Sequence, residues 1–414
     1  MKNKFTVMES EENTVLEDIE ELGFLHNNLV DDVENKTDLY GDHKGSWQGL
    51  SKPTLSDEGM RATVEQHIEE IGALNENKNY VQEKIVHVNQ YLLKDKFLAT
   101  PSDAQSGFEN YLKWCLDYGL KEIYVPVGTW YVDGLVIKTN GIIFKGEGQY
   151  SVIKLKPNSN RHLITLKKDV QFIEFHNICL DGNSSEQHDT SSGIFCESNN
   201  SHLYLNNVKI YNTYTDGIVN KGVSHSYHNV EIFNCGRFGI DFWAGDSFLN
   251  IIKISYCGQN GIVWRIGANK MFNSKIYLCG KDNPSCGAME VMAGLYNFIF
   301  IGVDLQENWC NGLLLNDNSM IRFEGIVDSN GITTDIQETP RDELLPQRYG
   351  VLMDKVKHSS FNILSNDFRQ TKVGGQHNQK APVYATNSQN VDMIINNINT
   401  ESNSTLDTGV KVLN

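Results

Sequence analysis

Two carboxylic acids, Glu197 and Asp241, occur in the same 69-residue stretch as a tryptophan, Trp243, and an arginine, Arg265. Paired carboxylates hydrolyse glycosidic bonds when they lie about 5–5.5 Å or about 6.5–9.5 Å apart. An aromatic ring offers a flat surface for a sugar, and a guanidinium group binds an anion. The combination predicts a carbohydrate site with Asp241 and Glu197 as catalytic residues, provided that the fold brings these side chains together.

Further polar residues extend the candidate site. Lys221 is expected to bind substrate beside Trp243 and Arg265, and a lyase would use Lys221 or Arg265 as the base that removes a proton. A second group of candidate binding residues consists of Asp304, Glu307 and Trp309. The alternative interpretation is structural, since exposed pairs such as Glu197 with Lys221 contribute under about 1 kcal/mol as surface ion pairs.

The element that must position these residues is a repeat. From residue 193 a glycine recurs directly before an aliphatic residue, at intervals of 24, 22, 22, 26, 25 and 38 residues. The pairs are Gly193-Ile194, Gly217-Ile218, Gly239-Ile240, Gly261-Ile262, Gly287-Ala288, Gly312-Leu313 and Gly350-Val351. A second set of positions, at Val208, Val230, Ile252 and Ser274, keeps the 22-residue interval. Short alternating strands with this period predict a parallel β-solenoid, in which each coil buries its inner face only against its neighbours.

Alternation then assigns each residue to a face. The inward positions hold Ile194, Ile218, Ile240, Ile262 and Leu313, with Cys196, Asn220, Phe242, Trp264 and Leu315 two residues later. The first outward column reads Phe195, Val219, Asp241, Val263, Met289, Leu314 and Leu352, and the second reads Glu197, Lys221, Trp243, Arg265, Val291 and Asn316. An apolar outward column predicts a subunit interface. Isolation of Asp241 in that column predicts a protonated carboxyl that acts as a general acid.

The segment before the repeat carries a recognisable pattern. An amphipathic helix, SDAQSGFENYLKWCLDYG, leads into KEIYVPVGTWYV, followed by IIFKGEGQYSVIKL and FHNICLDGN. These stretches resemble the first coils of the pectate-lyase-like superfamily of right-handed parallel β-helices, and specifically its bacteriophage tail-spike and appendage members. The resemblance implies an all-β, right-handed, single-stranded parallel β-helix over residues 99–414, with a capping helix at 102–118. It also implies a homotrimer about a threefold axis.

Composition changes near residue 99. Residues 1–98 contain 20 acidic and 10 basic residues, and residues 99–414 contain 32 acidic and 26 basic residues. The net charge of the whole chain is −16. Val15, Ile19, Leu22, Leu29 and Val33 form a short heptad-like seam. Residues 1–98 are therefore predicted to be an α-helical, coiled-coil extension that trimerises the chain and attaches it to a phage particle, while a solvated extension without chemistry stays an alternative.

Residues 328–349 are a polar insertion, expected to form a loop that either lines a binding groove or is a surface loop without function.

The acidic balance excludes a nucleic-acid partner, because phosphate binding requires a basic surface. No apolar run long enough for a membrane span or a signal peptide is visible. The resemblance implies a virion protein, and without a signal peptide we expect it to be made in the host cytoplasm. Cys235, Cys257 and Cys279 recur at 22 residues and predict a reduced stack rather than disulfides. No metal spacing is present, and no cofactor is expected.

The resemblance implies a depolymerase that binds and cleaves a bacterial surface glycan, such as teichoic acid, a capsule or a related polysaccharide. Hydrolase and lyase chemistry both stay open. The competing functions are a receptor-binding spike without catalysis and a purely structural virion protein of the same fold.

Overall fold

The computed structural model describes residues 111–112, 115, 120–331, 349–366, 379, 381–398 and 404–413. Within these ranges the chain is an all-β parallel β-helix whose paired strands run parallel. The predicted extension at 1–98 lies outside the described residues, as does most of the 328–349 insertion. Of the predicted capping helix at 102–118, only Tyr111, Leu112 and Cys115 are described, and these three residues are helical and buried.

One wall of the solenoid consists of short strands, and we call it the short-strand wall. Each of its strands follows a turn and pairs with the equivalent strand of the next coil. In chain order it contains β3 (Leu135–Ile137), β6 (Ile164–Leu166), β8 (Ile194–Cys196), β10 (Ile218–Val223), β12 (Ile240–Gly245), β14 (Ile262–Trp264), β16 (Gly287–Val291), β18 (Asn311–Asn316), β20 (Tyr349–Asp354) and β22 (Ala381–Thr386).

The remaining strands form the long-strand side. It begins with β1 (Glu122–Val125), β2 (Gly128–Val132), β4 (Ile143–Gly146) and β5 (Ser151–Leu155). It continues with β7 (Gln171–Asp181), β9 (Asn200–Thr213), β11 (Ser226–Cys235), β13 (Phe248–Cys257), β15 (Lys270–Tyr277), β17 (Tyr296–Gln306), β19 (Ser319–Asp328), β21 (Lys357–Asn366), β23 (Gln389–Ile398) and β24 (Val410–Val412). Short 3₁₀ turns occur at Gly148–Tyr150 and Ser184–Glu186.

Left-handed residues bend the long strands into two walls. β7 pairs with β4 through its first half and with β5 through its second half, and Asn177 stands between the halves with φ 53°. Asn207, Asn229 and Asn273 take the equivalent place in later coils with φ from 49° to 54°. Asparagine tolerates this conformation better than most residues, so the repeated asparagines set a corner of the solenoid.

The repeat glycines permit a close approach between coils. A Cβ atom on Gly217 would lie 2.5 Å from the carbonyl oxygen of Gly239 and 2.5 Å from the side chain of Ile232. Real side chains do not approach backbone so closely, so this turn accepts a residue without a side chain. The number of residues between successive repeat glycines is thus the number of residues in one coil.

The interior is a continuous apolar stack, as the alternation predicts. The inward residues Ile194, Ile218, Ile240, Ile262 and Leu313 are fully buried. Phe242 and Trp264 lie in adjacent coils with ring centroids 4.8 Å apart. The predicted cysteine stack is also present, with Cys235 paired to Cys257 in the β11–β13 register and all described thiols free.

A buried histidine makes the fold sensitive to acid. His225 is 1% exposed, its Nδ1 accepts the backbone N–H of Leu203 at 3.0 Å, and burial lowers its pKa to about 3. The folded protein therefore holds the neutral ring, whereas the unfolded chain binds a proton below about pH 6.5. Stability should fall as the pH is lowered from about 6.5 toward 3, by up to about 1.4 kcal/mol per pH unit from this residue.

Urea unfolding of wild type and His225→Gln between pH 7.5 and pH 4 measures this contribution. The variant should show a shallower pH dependence, and His188→Gln, at an exposed position, should keep the wild-type slope. Equal slopes in wild type and His225→Gln would show that another group sets the acid sensitivity.

Candidate functional site

The outward column of the short-strand wall is continuous across the described coils. Strand pairing places one residue of each coil in it, in the order Val136, Thr165, Phe195, Val219, Asp241, Val263, Glu290, Leu314, Leu352 and Tyr384. The prediction that Met289 lies in this outward column is wrong, because Met289 pairs with Ile262 and is fully buried. Val291 likewise pairs with the inward Trp264. Ala288 takes the place of the repeat glycine, which brings Glu290 to the surface.

This column is not an exposed apolar stripe. Val219 is 6% exposed and Val263 is 2% exposed within the single chain, and the ring of Phe195 is covered on one side by His162 and approached by Lys221. Val219 and Val263 are thus covered within the single chain, whereas Phe195, Leu314 and Leu352 are partly exposed. The subunit interface at this column stays a prediction. The trimer itself stays a prediction.

A compact group of side chains surrounds Asp241 on β12, and we call it the Asp241 cluster. Arg265 donates from Nε to Oδ1 of Asp241, and Trp243 donates from Nε1 to Oδ2 at 3.0 Å. The Arg265 guanidinium lies 4.8 Å from the ring centre of Trp243. The sequence predicted that these three residues lie together, and the structure places them in mutual contact. Asp241 and Trp243 both face outward from β12, beside Arg265 at the end of β14.

The surroundings of Asp241 differ from the expected apolar pocket. Both carboxylate oxygens accept hydrogen bonds, and the residue is 6% exposed. A general acid needs one oxygen to carry a transferable proton, whereas this carboxylate fixes a guanidinium and an indole. The arrangement leaves Trp243 40% exposed, so the fixed ring is available as a binding surface.

A second buried ion pair supports the cluster. Asp216 is 1% exposed and accepts from Nε and Nη2 of Arg237 at 2.8 and 2.6 Å, which raises the pKa of Arg237. Arg237 and Arg265 both lie near the ring of Phe238, at 4.6 and 5.8 Å. The bidentate pair holds Phe238 beside the Asp241 cluster.

Glu290 is the carboxylate that the sequence interpretation missed. It lies in the same outward column as Asp241, two coils away across Val263, or about 9.6 Å at ~4.8 Å per coil. Its Oε2 accepts the side-chain amide of Asn260 at 2.6 Å, and no hydrogen bond to its Oε1 occurs within the described part of the chain. Glu290 is half-buried on the outer face of the short-strand wall.

Glu197 lies in a different part of the wall. Its Oε1 pairs with Nζ of Lys167 and its Oε2 accepts the backbone N–H of Lys168 at 3.0 Å. The hydrogen bond from Lys167 lowers the pKa of Glu197. The structure brings Glu197 to the wall that carries Asp241, but two coils from it, and its ion-pair partner is Lys167 rather than Lys221.

Lys221 is adjacent to the Asp241 cluster. It pairs in register with Trp243, and its Nζ lies 5.2 Å from the ring centre of Phe195. The lysine therefore stands between Glu197 and Trp243 on the outer face, where an extended ligand along the wall would pass it.

Asp304, Glu307 and Trp309 belong to the long-strand side and the turn after it. Asp304 lies 3.4 Å from Nζ of Lys275, and burial raises its pKa. It continues a column of charged residues that contains Lys209, Glu231, Lys253 and Lys275, in which Lys209 and Lys253 both pair with Glu231. Trp309 is 5% exposed and offers little ring surface to a ligand. The structure does not bring this group to the Asp241 cluster.

No helix in the described ranges is both long and apolar enough to span a membrane. Across the same residues, no three His, Cys, Asp or Glu side chains are grouped as metal ligands.

Comparison with solved structures places the fold. Full-length tailspike protein 2 of an Escherichia coli bacteriophage superposes with a TM-score of 0.57 at 16% identity, covering 68% of this chain and 39% of the tailspike. The chain shares the parallel β-helix fold of phage tailspikes. The A-module of a mannuronan C-5 epimerase from Azotobacter vinelandii gives a TM-score of 0.56 at 12% identity, covering 75% of this chain and 96% of the module.

The tailspike comparison is limited to the solenoid. The enzymatically active domain of tailspike protein 2 from bacteriophage CBA120 gives a TM-score of 0.57 at 15% identity, and this chain spans 44% of that domain's length. The chain thus spans less than half the length of either of these two tailspike protein 2 structures. No protein-family model and no curated protein sequence matches it.

Proposed function

We propose that the chain is a tailspike-like virion protein that binds and cleaves a bacterial surface glycan along its short-strand wall. The supporting observation is the Asp241 cluster, in which a carboxylate and a guanidinium fix a partly exposed tryptophan ring on the outside of a parallel β-helix. Structures of the same fold include a phage tailspike and its enzymatically active domain. Teichoic acid, capsule and related polysaccharides are the candidate polymers.

The catalytic assignment follows from the positions of the carboxylates. Glu290 has an oxygen without a hydrogen-bond partner within the described residues, so it is the candidate for proton transfer. Asp241 is the second carboxylate and holds Trp243 and Arg265 in place. Their two-coil separation of about 9.6 Å is at the upper end of the about 6.5–9.5 Å at which a water molecule fits between paired carboxyl groups.

The proposal is tested by incubating the full-length protein with purified wall teichoic acid and with capsular polysaccharide. New reducing ends indicate hydrolysis, absorbance of unsaturated uronates indicates a lyase, and released phosphate esters indicate cleavage of a teichoic-acid backbone. Binding without any product would favour a receptor-binding spike, and neither binding nor product would favour a structural virion part.

Loss of the tryptophan platform should weaken binding. Trp243→Ala removes the exposed ring, and affinity for the bound polymer should fall about tenfold, which corresponds to about 1.4 kcal/mol. Pull-down or surface plasmon resonance with immobilised polymer measures the change. Tyr296→Ala removes a ring that is 57% exposed on the long-strand side and should bind like wild type. Equal losses in both variants would move the binding surface away from the short-strand wall.

We also propose that the chain forms a homotrimer and that residues 1–98 join it to the phage particle. Sedimentation equilibrium at micromolar concentration should give three times the mass of 46.8 kDa. The 99–414 fragment should remain folded and β-rich by circular dichroism but lose attachment to the particle. A monomer in the full-length protein would rule out the trimer.

A further inference from the structure

A cleft of about 380 Å³ opens on the short-strand wall, and its residues on β8 lie two coils from Asp241. It lies where the turn before β6 meets β8, and its lining includes Asn160, Arg161, His162, Lys167, Phe195 and Glu197. We call it the Glu197 cleft. It has both the size of a small-ligand site and a charged rim.

One side of the cleft is a rigid aromatic stack. His162 lies parallel to Phe195 with ring centroids 4.1 Å apart, and Nδ1 of His162 accepts the backbone N–H of Ser192 at 3.1 Å. Because Nδ1 accepts, the ring proton of the neutral histidine is on Nε2, which is therefore a hydrogen-bond donor. Burial lowers the pKa of His162, so the ring is a neutral donor at physiological pH.

The charged groups of the cleft are unequally engaged. Glu197 uses one oxygen for Lys167 and the other for the N–H of Lys168, so this carboxylate and Lys167 neutralise each other. Arg161 is nearer to solvent, with a side chain 66% exposed, and its Nη1 lies 3.5 Å from a carboxylate oxygen of Asp133, which is itself 41% exposed. An exposed pair at that distance contributes little, so the guanidinium can turn toward a ligand at small cost.

We propose that the Glu197 cleft is a second carbohydrate subsite, which takes an acidic sugar unit whose carboxylate or phosphate is bound by Arg161. The ring of the sugar lies against the His162–Phe195 stack, and Nε2 of His162 donates to one of its oxygens. The anion pairs with the Arg161 guanidinium, whose planar donors match both carboxylate and phosphate.

The place of the subsite in a longer chain rests on the proposed function. Four coils separate the strand of Lys167 from that of Arg265, about 19 Å at ~4.8 Å per coil. A polymer lying along the wall would contact the Glu197 cleft at one end and the Asp241 cluster at the other, with Lys221 between them. A polymer with a repeating anionic unit would place one acidic unit in the Glu197 cleft and another anion beside Arg265 in the Asp241 cluster.

Ligand-observed NMR with the full-length protein tests the subsite through three matched sugars: glucuronic acid, glucose 6-phosphate and glucose. One or both acidic sugars should bind at least tenfold more tightly than glucose, and which of them binds identifies the anion. Arg161→Ala should abolish this preference. Arg322→Ala is the matched control, because its side chain is 56% exposed and paired with Glu324 on the long-strand side, and it should behave like wild type. His162→Phe keeps a ring on Phe195 without the Nε2 donor and should weaken binding of all sugars that occupy the cleft.

Equal affinity for glucose and the acidic sugars, no binding of any of them, or an unchanged preference in Arg161→Ala would each overturn the subsite. The assay needs no cleavage. Acidic-sugar binding lost in Arg161→Ala, together with inert polymers, would therefore contradict the depolymerase while supporting the subsite. Polymer cleavage with no preference for acidic sugars would do the reverse.

Discussion

Glu290→Gln should reduce turnover of the cleaved polymer by about 10²–10⁴-fold, the usual contribution of a general acid–base group. The amide keeps the shape of the side chain and can still accept the hydrogen bond from Asn260, but it cannot transfer a proton. Binding of the polymer should therefore be unchanged. Steady-state rates of product formation and affinity for immobilised polymer measure the two effects separately.

Asp241→Asn should give a different pattern. Turnover should fall because the second carboxylate is lost, and affinity should fall as well because Trp243 and Arg265 lose the anion that fixes them. Glu324→Gln, on the long-strand side, is the matched control and should leave both quantities unchanged. Near-wild-type turnover in Glu290→Gln would remove Glu290 from the mechanism, and the search for the acid would return to Asp241 and Glu197.

Trp264→Ala should cost about 3–5 kcal/mol of unfolding free energy, the range for deleting a large buried aromatic side chain. Trp264 is fully buried and its ring lies 4.8 Å from Phe242, 5.9 Å from Phe298 and 5.7 Å from Phe300. Deletion therefore opens a cavity against several rings in three successive coils. Urea unfolding followed by circular dichroism gives the difference in free energy.

Trp264→Phe separates volume from polarity. The indole N–H of Trp264 is buried without a hydrogen-bond partner in the described part of the chain, so phenylalanine removes an unsatisfied donor while it keeps most of the ring. The loss should be clearly smaller than in Trp264→Ala. Tyr150→Ala, at a position 62% exposed, should change stability by less than about 0.5 kcal/mol. A similarly small loss in Trp264→Ala would mean that the core collapses around the missing ring.

The fold was accessible from sequence because the solenoid repeats its constraints. Most coils place a glycine where Gly217 meets Gly239, and all place apolar residues on the inside, so one period appears in several positions at once. Contacts between residues of neighbouring coils can also be predicted from the sequence. Asp241 and Arg265 are 24 residues apart, which is one coil and two residues, and the structure places them in contact.

The rest of the site depends on where the period is broken. Glu290 follows Val263 by 27 residues instead of 22, and a one-residue error in register across this longer turn exchanges the two faces of the strand. Alternation counted from Gly287 rather than Ala288 therefore predicted Met289 on the outside. The alternation of Met289, Glu290 and Val291, with the polar residue in the middle, was the signal that would have given the correct face. His162 precedes the first repeat glycine, so no column included it.

The equal rise of the coils restricts how the two carboxylates can be spaced during evolution. Their separation changes only in whole turns of the solenoid, about 4.8 Å at a time. Loss of the one turn that carries Val263 would set Glu290 beside Asp241, near the about 5–5.5 Å of glycosidases that retain anomeric configuration rather than invert it. In the proposed hydrolysis, deletion of that one repeat, which also removes Arg265, would alter the stereochemical course while both proposed catalytic carboxylates are kept.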